Sequence, residues 1–526
     1  MFIKNITPKR VKLILIGLMA ALLLAALDST IVGTAMKKII EDLHGIEQYA
    51  WPFTIYMLCS TAAIPVFGGL ADIFGRKPIF LLGILIFLTG SALCGTSQNM
   101  TQLIIYRGFQ GIGGGILVSN VFAIVADLFP PEKRGKYTGI VTSMYGLASV
   151  IGPLIGGFIT DNLNWRWIFY VNIPIGIAAG IIIFFALPNF GHSDIKKSID
   201  LKGIFIFILA VTPLLLALSW AGKDYPWLSV QIVCLFAFSA VMFLLFGFIE
   251  KKSSNPIIPL SLFKNRTINI SVIIAFLTNA LMFAAIMFIP YFVQGVIGSN
   301  ATTSGAITTP MMLSLMVAST TIGITISKVG KYKIVSLSSF IIITSGMVLL
   351  STIAVSTHYY SIVIFMIILG FGIGMAMPVP NVAAQNSVPQ NQIGTITSVV
   401  TFFRNVGATI GSAVYGSIMT NSLSSGLSNL DLSNVPDKVT VLLKNPQIIT
   451  DSGALRQIKS NVPTAFSGFF DKIMDQIKVV LSNSIHNVFF ICIFIAISGI
   501  ITAFMLKEFH KTKLPALSDI GKSENT

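Results

Sequence analysis

Residues 22–36 read LLLAALDSTIVGTAM. Apart from glycine and small hydroxyl residues the stretch is apolar, with one exception, Asp28, and it lies inside a longer apolar run that begins at Leu13. A carboxylate at membrane depth costs on the order of 2.5–3.5 kcal/mol on insertion scales, and residues kept there against that cost mark functional sites by default. The fold therefore turns on whether this run is a membrane span or part of a soluble core.

Composition favours the membrane. Of 526 residues, 54% are hydrophobic and 10% charged, and the mean hydropathy is +0.83. Soluble domains carry about 25% charged residues. Charge has been removed from most of the length, which indicates a polytopic membrane protein embedded in a lipid bilayer. The formal net charge of +15 would raise nucleic acid as a partner for a soluble chain. Here it raises the placement of basic residues around the spans, and no nucleic-acid partner is expected. Lys4, Lys9, Arg10 and Lys12 precede the first run as they would in a signal peptide, but the run is long, contains Asp28 and has no clear A-x-A site after it. It reads as a retained first span. Cys59, Cys94, Cys234 and Cys492 all fall in apolar stretches without a C-x-x-C pair, and the five histidines include no H-E-x-x-H. Neither a disulfide framework nor a metal site is expected.

A span needs about 20 mostly apolar residues. Such runs lie near 13–35, 51–71, 79–97, 101–126, 138–160, 167–188, 202–220, 229–249, 268–294, 303–327, 333–355, 360–384, 393–420 and 484–507, fourteen in all. If the N-terminus is cytoplasmic, the inner segments hold 23 of the 35 lysines and arginines and the outer segments ten, six of those in one long loop, 421–483. The remaining two, Arg107 and Arg404, sit inside spans. This asymmetry predicts both termini inside and an even number of spans. Within the long loop, 466–481 shows apolar residues at near-helical spacing and reads either as an amphipathic helix on the outer surface or as a solvated loop with a short helix.

Three motifs carry charge or backbone freedom. GGLADIFGRKP at 68–78 places Gly69, Asp72, Gly75, Arg76 and Lys77 between the second and third spans. Glycine permits a tight turn, and Asp72 can pair with an arginine or a helix N-terminus, forming an inner gate that breaks when helices rock. The plainer reading is a turn with a positive-inside anchor. IYRGFQGIGGGILVSN at 105–120 puts Arg107 at the start of the fourth run, followed by glycines suited to close helix packing. Asp28 is the acid inside the first six runs that could answer it, as an ion pair or proton relay. GLASVIGPLIGG at 146–157 supplies Gly146, Gly152, Pro153, Gly156 and Gly157, a hinge or seal on one reading and ordinary helix packing on the other.

These motifs, in this order, together with LDSTIVGTA (27–35), WRWIFYVNIPIG (165–176) and TFFRNVGATIGSA (401–413), resemble the major facilitator superfamily, and more narrowly its fourteen-span drug:proton antiporters of the EmrB/QacA type. The resemblance implies Asp28 as the membrane acid, Arg107, Gln110 and Gly111 as the fourth-span motif, the 146–157 glycines as the antiporter motif, and Arg404 in the C-terminal counterpart. It also implies an all-α fold of two six-helix bundles plus two extra linking helices. On this reading 1–190 is the N-terminal bundle, 191–266 the linker with the extra pair, 267–507 the C-terminal bundle including the outer loop 421–483, and 508–526 a cytoplasmic tail. No Asp or Glu lies in the runs from 268 to 420, so export of divalent cations through a second acid is not expected.

The expected function is proton-coupled efflux of lipophilic, often cationic, drugs, dyes and antiseptics by alternating access, with the proton gradient as energy source and no cofactor. Burial favours the neutral form of Asp28 and Arg107 favours the charged form, so the pair can gain and lose a proton as access changes; a static pair fixing helix packing is the alternative. Met282, Phe283, Met287 and Tyr291, with Tyr56, Gln294, Asn381 and Arg404, are the expected substrate cavity, since flexible Met and flat aromatics suit varied apolar ligands. A proton-coupled transporter of one physiological compound, such as a lipid, bile-acid-like molecule or metabolite, is the competing function. An enzyme or ATP-driven pump is not expected: the nearest approach to a Walker A motif, IGKS at 520–523, has Ala516 where glycine is required. The Lys-, Ile- and Asn-rich usage points to a bacterium, hence to a multi-pass protein of the bacterial cytoplasmic membrane, expected to work as a monomer.

Overall fold

The computed structural model describes residues 7–44, 48, 51–188, 200–222, 224–253, 256–299, 301–429 and 467–506. The predicted tail, 508–526, and the middle of the predicted outer loop lie outside the described residues. Among the described residues there is no β-strand, only an isolated bridge between Ala221 and Tyr225.

The N-terminal half comprises α1 (Pro8–Leu43), α2 (Trp51–Phe74), α3 (Arg76–Thr96), α4 (Met100–Leu128), α5 (Pro131–Asn162), the one-turn α6 (Trp167–Tyr170) and α7 (Asn172–Ala186). A hairpin of α8 (Leu201–Trp220) and α9 (Val230–Lys252) follows. The C-terminal half comprises α10 (Arg266–Tyr291), ending in a π-turn at Phe292–Val296, then α11 (Ala301–Val329), α12 (Tyr332–Ser351), α13 (Tyr359–Ala376), α14 (Pro378–Gln385), α15 (Ile393–Ser428) and α16 (Ser467–Phe504).

Local signals set the boundaries. Asn99 caps α4 by accepting from Gln102 N at 2.9 Å, Asp200 caps α8 through Gly203 N at 2.7 Å, and Asn265 caps α10 through Thr267 N at 2.9 Å. Gly75 separates α2 from α3 with φ 93°, a conformation that glycine adopts without strain. Arg10 closes the other end of α7, donating to Ala186 O at 2.7 Å where a cation complements the unpaired carbonyls.

Among the described residues, thirteen helical segments are long and apolar enough to cross a membrane, and they coincide with thirteen of the fourteen predicted runs. The fourteenth, α15, is a 36-residue helix but a more polar one, carrying Thr395, Thr397, Ser398, Thr401, Arg404 and Asn405. Most of that polar face is buried against other helices, so it does not meet lipid. The hairpin α8–α9 is tied together by Ser239 Oγ donating to Ala210 O at 2.6 Å, and it leans through α8 on α2 and α15 from outside, with Trp227 Nε1 donating to Ser417 Oγ of α15.

The stretch 421–483 read as a loop is helical at both ends. Helix α15 continues to Ser428 and α16 begins at Ser467, so the apolar spacing at 466–481 belongs to the start of the last long helix and not to a separate surface helix. Leu423 and Leu427 of one and Ile473, Ile477 and Leu481 of the other are all buried in one core, which explains why both polar segments hold helical form.

The two halves meet along α5–α11 and α2–α15. Close approach needs glycine: a side chain at Gly139 would strike Ser319 O, and one at Gly323 would strike Gly135 O. The contact runs from the end where α1 begins (the N-terminal face) to Gly146, which rests against Met312 O. Beyond it the helices part. Gly152 and Gly156 turn to Thr30 and Thr34 of α1, while Gly157 and Gly305 have no neighbouring atom within 4 Å. The molecule is thus closed at its N-terminal face and parted toward the distal one.

Candidate functional site

The buried centre of the N-terminal half is built on Asp28, at the middle of α1. It is fully buried, as are Arg107 and Gln110 of α4 and Asn172 of α7. Arg107 Nη1 donates to Asp28 Oδ2 and to Gln110 Oε1 at 2.9 Å. Gln110 Nε2 and Asn172 Nδ2 donate to Asp28 Oδ1 at 2.8 and 3.3 Å. Asn172 also donates to Ser91 Oγ of α3 at 3.0 Å. Arg107 Nε reaches Pro52 O of α2 at 3.3 Å, and its guanidinium lies 4.2 Å from the centre of the Tyr56 ring. Five helices therefore converge on one carboxylate. The pair is desolvated, so its stability depends on these additional donors.

The glycines of α4 make this convergence possible. A side chain at Gly111 would overlap Tyr56 O, one at Gly113 the backbone of Phe87, and one at Gly115 Ser60 O. Tyr56, expected in the substrate cavity, instead stacks beneath Arg107 as part of the ion network, with only 7% of its surface exposed. Sequence reasoning gave no role to Asn172; its signal was a polar residue inside WRWIFYVNIPIG.

A second cluster closes the N-terminal face. Arg76 Nη2 pairs with Asp72 Oδ1 at 2.5 Å, and Arg76 Nε with Asp127 Oδ2 at 2.8 Å. Asp72 crosses to the other half, where its oxygens accept from Gly394 N at 3.2 Å, Thr395 N at 2.7 Å and Thr395 Oγ1 at 2.8 Å. These are first-turn groups of α15, which lack partners within their own helix and carry its positive dipole end. Two parallel links meet the end of α14: Arg134 Nη1 of α5 donates to Asn386 Oδ1, just after α14, at 2.8 Å, and Gln385 Nε2 of α14 donates to Phe122 O of α4 at 3.3 Å. Gly69 fits closely against Ile257 of the segment after α9.

Lys77 stands apart from this latch. Its ammonium lies 5.1 Å from the centre of the Phe184 ring on α7, because one residue of helix turns it away from Arg76. Asp127 was missed because the predicted fourth run stops at 126, one residue short. Arg134 carries no motif in the sequence and counts only among the basic residues of the inner segments, so its partner in the other half was not foreseen.

The expected cavity residues divide. Met282, Phe283 and Met287 form a half-buried stripe of α10 with the exposed Tyr291, opposite the core face of Leu281, Ala284, Ala285, Phe288 and Ile289, and Gln294 is half-buried in the π-turn that follows. The structure does not bring that stripe to Asp28. Asn381 and Arg404 are buried, and the Arg404 guanidinium faces the N-terminal half, 6.0 Å from the centre of the Phe122 ring. Of the expected hinge residues, Gly146 seals against α11, Gly152 and Gly156 pack on α1, and Pro153 and Gly157 lie free of the seam. No group of three or more potential metal ligands occurs among the described residues.

Comparison with known proteins gives a consistent picture. The family profile described as Major Facilitator Superfamily matches residues 18–412. The chain is 40% identical over 507 residues to "Multidrug transporter protein MdtP" of Bacillus subtilis (strain 168), covering 94% of this chain and 92% of that one. It is 38% identical over 507 residues to "Multidrug resistance protein 3" of the same organism, covering 95% and 96%. Among solved structures, the human organic anion transporter MFSD10 (TETRAN) superposes with a TM-score of 0.59 at 14% identity, over 93% of this chain and 100% of that one, a likeness of fold alone.

Proposed function

The chain belongs to the major facilitator superfamily, and from that premise we propose that it is a proton-coupled antiporter exporting lipophilic compounds of varied structure. It is a multi-pass membrane transporter and not an enzyme. The observation that carries the proton-coupled reading is the fully buried Asp28–Arg107 pair, with Asp28 inside the apolar run of α1. The multidrug range is supported by the names of the two Bacillus relatives.

In the proposed cycle Asp28 takes up a proton from the distal side. Neutralising it releases Arg107 to Gln110 and the Tyr56 ring. Helix α1 carries Asp28 and also the Thr30 and Thr34 surface against Gly152 and Gly156 of α5. A shift of α1 thereby reaches the α5–α11 seam and the latch at the N-terminal face. The chain crosses the bacterial cytoplasmic membrane fourteen times with both termini inside, works as a monomer and uses the proton gradient without a cofactor.

The test uses three pyrene probes with one apolar body and different head groups: pyrenebutyltrimethylammonium, pyrenebutanol and pyrenebutyrate. Inverted vesicles with an acid interior accumulate at least one probe if the reading is right, and collapsing the gradient or introducing Asp28→Asn abolishes accumulation while downhill exchange continues. Failure of all three to accumulate overturns multidrug efflux. Accumulation by Asp28→Asn equal to the parent removes Asp28 from the coupling role.

A further inference from the structure

Arg404 of α15 is 6% exposed and makes no ion pair among the described residues. Two other buried arginines answer their charge in ion pairs, Arg107 with Asp28 and Arg76 with Asp72 and Asp127; Arg134, which has no ion pair among the described residues either, is instead well bonded, to Ala126 O, Phe129 O and Asn386 Oδ1. Helices α10 to α15 contain no Asp or Glu at all. The titratable neighbour that acts on Arg404 is the hydroxyl of Tyr145, on α5 of the opposite half. Arginine does not shed its proton in proteins, so this positive charge persists in a desolvated place.

Its hydrogen-bond capacity is also unfilled. Nη2 donates to Met377 O at 3.3 Å, while Nε and Nη1 have no partner among the described residues. One helical turn beyond Met377 stands Asn381, fully buried, with neither its Nδ2 nor its Oδ1 hydrogen-bonded. Buried amides almost always have a partner. The guanidinium lies 6.0 Å from the centre of the Phe122 ring of α4. The N-terminal half thus supplies an aromatic wall, Phe122 and Tyr145, and the C-terminal half an unpaired cation and a free amide.

We propose that Arg404 and Asn381 receive the acidic head of an amphiphilic organic monoanion, a carboxylate or sulfonate whose apolar body lies against Phe122 and Tyr145. The guanidinium fork matches the two oxygens of such a group, and Asn381 offers a further donor. The charge of Asp28 is balanced by Arg107, and with no Asp or Glu on α10 to α15 the charge that Arg404 presents is positive and unbalanced, which favours anions over cations. The inference rests on the efflux reading and gives it a substrate class: lipophilic acids are preferred to the lipophilic cations expected from the resemblance.

Binding of the three pyrene probes to the purified full chain tests this. Pyrenebutyrate binds roughly tenfold or more tightly than pyrenebutyltrimethylammonium, as one charged hydrogen bond suffices to give. Arg404→Gln lowers the affinity ratio of pyrenebutyrate to pyrenebutanol by a similar factor, and Arg404→Lys restores part of it. Equal affinities for the three head groups overturn the proposal. So does an equal loss on all three in Arg404→Gln, which marks Arg404 as a structural tie to Met377. Should the variants fail to fold, the ranking on the parent decides alone. Repeating the titration in gluconate and in chloride separates sources of the anion: chloride that competes without any preference for pyrenebutyrate assigns the cation to an inorganic counter-ion and overturns the organic one. In vesicles, probes that accumulate without preference for the carboxylate sink this inference only, whereas no accumulation of any probe sinks the efflux reading itself.

Discussion

At the scale of single residues the ion pair of the N-terminal half makes a prediction about stability distinct from transport. Removing one member of a buried pair leaves the other uncompensated and costs about 3–5 kcal/mol, while replacing both with neutral groups of similar shape is often close to neutral. Arg107→Gln is therefore expected to melt well below the parent, and the double variant Asp28→Asn with Arg107→Gln to recover most of the loss, since Gln110 and Asn172 remain to bond the new amides. Thermal unfolding in detergent measures both; a double variant as unstable as the single would show that the pair is held for packing geometry and not for charge. This centre was legible because an acid inside an apolar run cannot hide, and an arginine in a later run is its natural partner. Gln110 came with the fourth-span motif, but the places of Tyr56 and Asn172 were not legible. Tyr56 is one aromatic among many until α2 and α4 are brought together by glycine, and Asn172 has no charge to draw notice. Lys77 shows the reverse error: it adjoins Arg76 in sequence, yet helical geometry aims it at Phe184.

Elements explain which glycines matter. Glycine costs a helix about 1 kcal/mol relative to alanine, so where space is open the exchange is expected to be mildly stabilising. Gly157, with nothing within 4 Å, is such a place. At Gly115 the new methyl group would overlap Ser60 O on α2, and overpacking of this kind costs about 1–3 kcal/mol. Gly157→Ala should melt at or slightly above the parent and Gly115→Ala several degrees below it; the opposite order would refute the packing assigned to α4. The end of α1 carries a different device. Asp42 accepts from Arg166 Nη1 at 2.8 Å and Trp165 Nε1 at 3.0 Å, and these bonds, with the arginine's charge, hold its carboxyl below the usual value. A carboxyl so lowered contributes stability above its unfolded value, and that contribution disappears as pH falls through the lowered one. The melting difference between parent and Asp42→Asn is accordingly present at pH 7 and at pH 5 and vanishes in stronger acid; a difference that grows on acidification would contradict the clamp. The helices themselves were legible from runs of apolar residues. Helix α15 was legible as the run 393–420 in spite of its polar face, whereas the extensions at 421–428 and 467–483 were obscured because their helical form depends on Leu427 and Ile477 sharing a core that no local pattern reveals.

For the molecule as a whole, the question is what keeps the N-terminal face shut. The two halves are joined there by few polar contacts, and the strongest set runs from Asp72 to the first turn of α15. An anionic side chain at a helix N-terminus contributes up to about 2 kcal/mol when partly buried. The α5–α11 seam behind it is a smooth glycine contact that slides or parts as a unit, with no interlocking side chains at Gly139 and Gly323. Closure is then a balance that a single latch tips. Asp72→Asn keeps the size of the side chain but removes the charge that faces both the α15 amides and Arg76. A loss of 1–2 kcal/mol changes the ratio of closed to open forms about 5- to 30-fold. Ser319, fully buried in the seam with its hydroxyl toward Gly139 O at 3.5 Å, reports that ratio when replaced by cysteine in a background lacking the four native cysteines. A membrane-impermeant maleimide applied to the N-terminal face should label Ser319→Cys slowly, and several-fold faster when Asp72→Asn is added. An unchanged rate would mean that the seam closes on its own packing and that Asp72 only orients Arg76. A faster rate would locate the conformational control of transport in three backbone and hydroxyl donors at the start of one helix, within reach of whatever shifts α2 against α15.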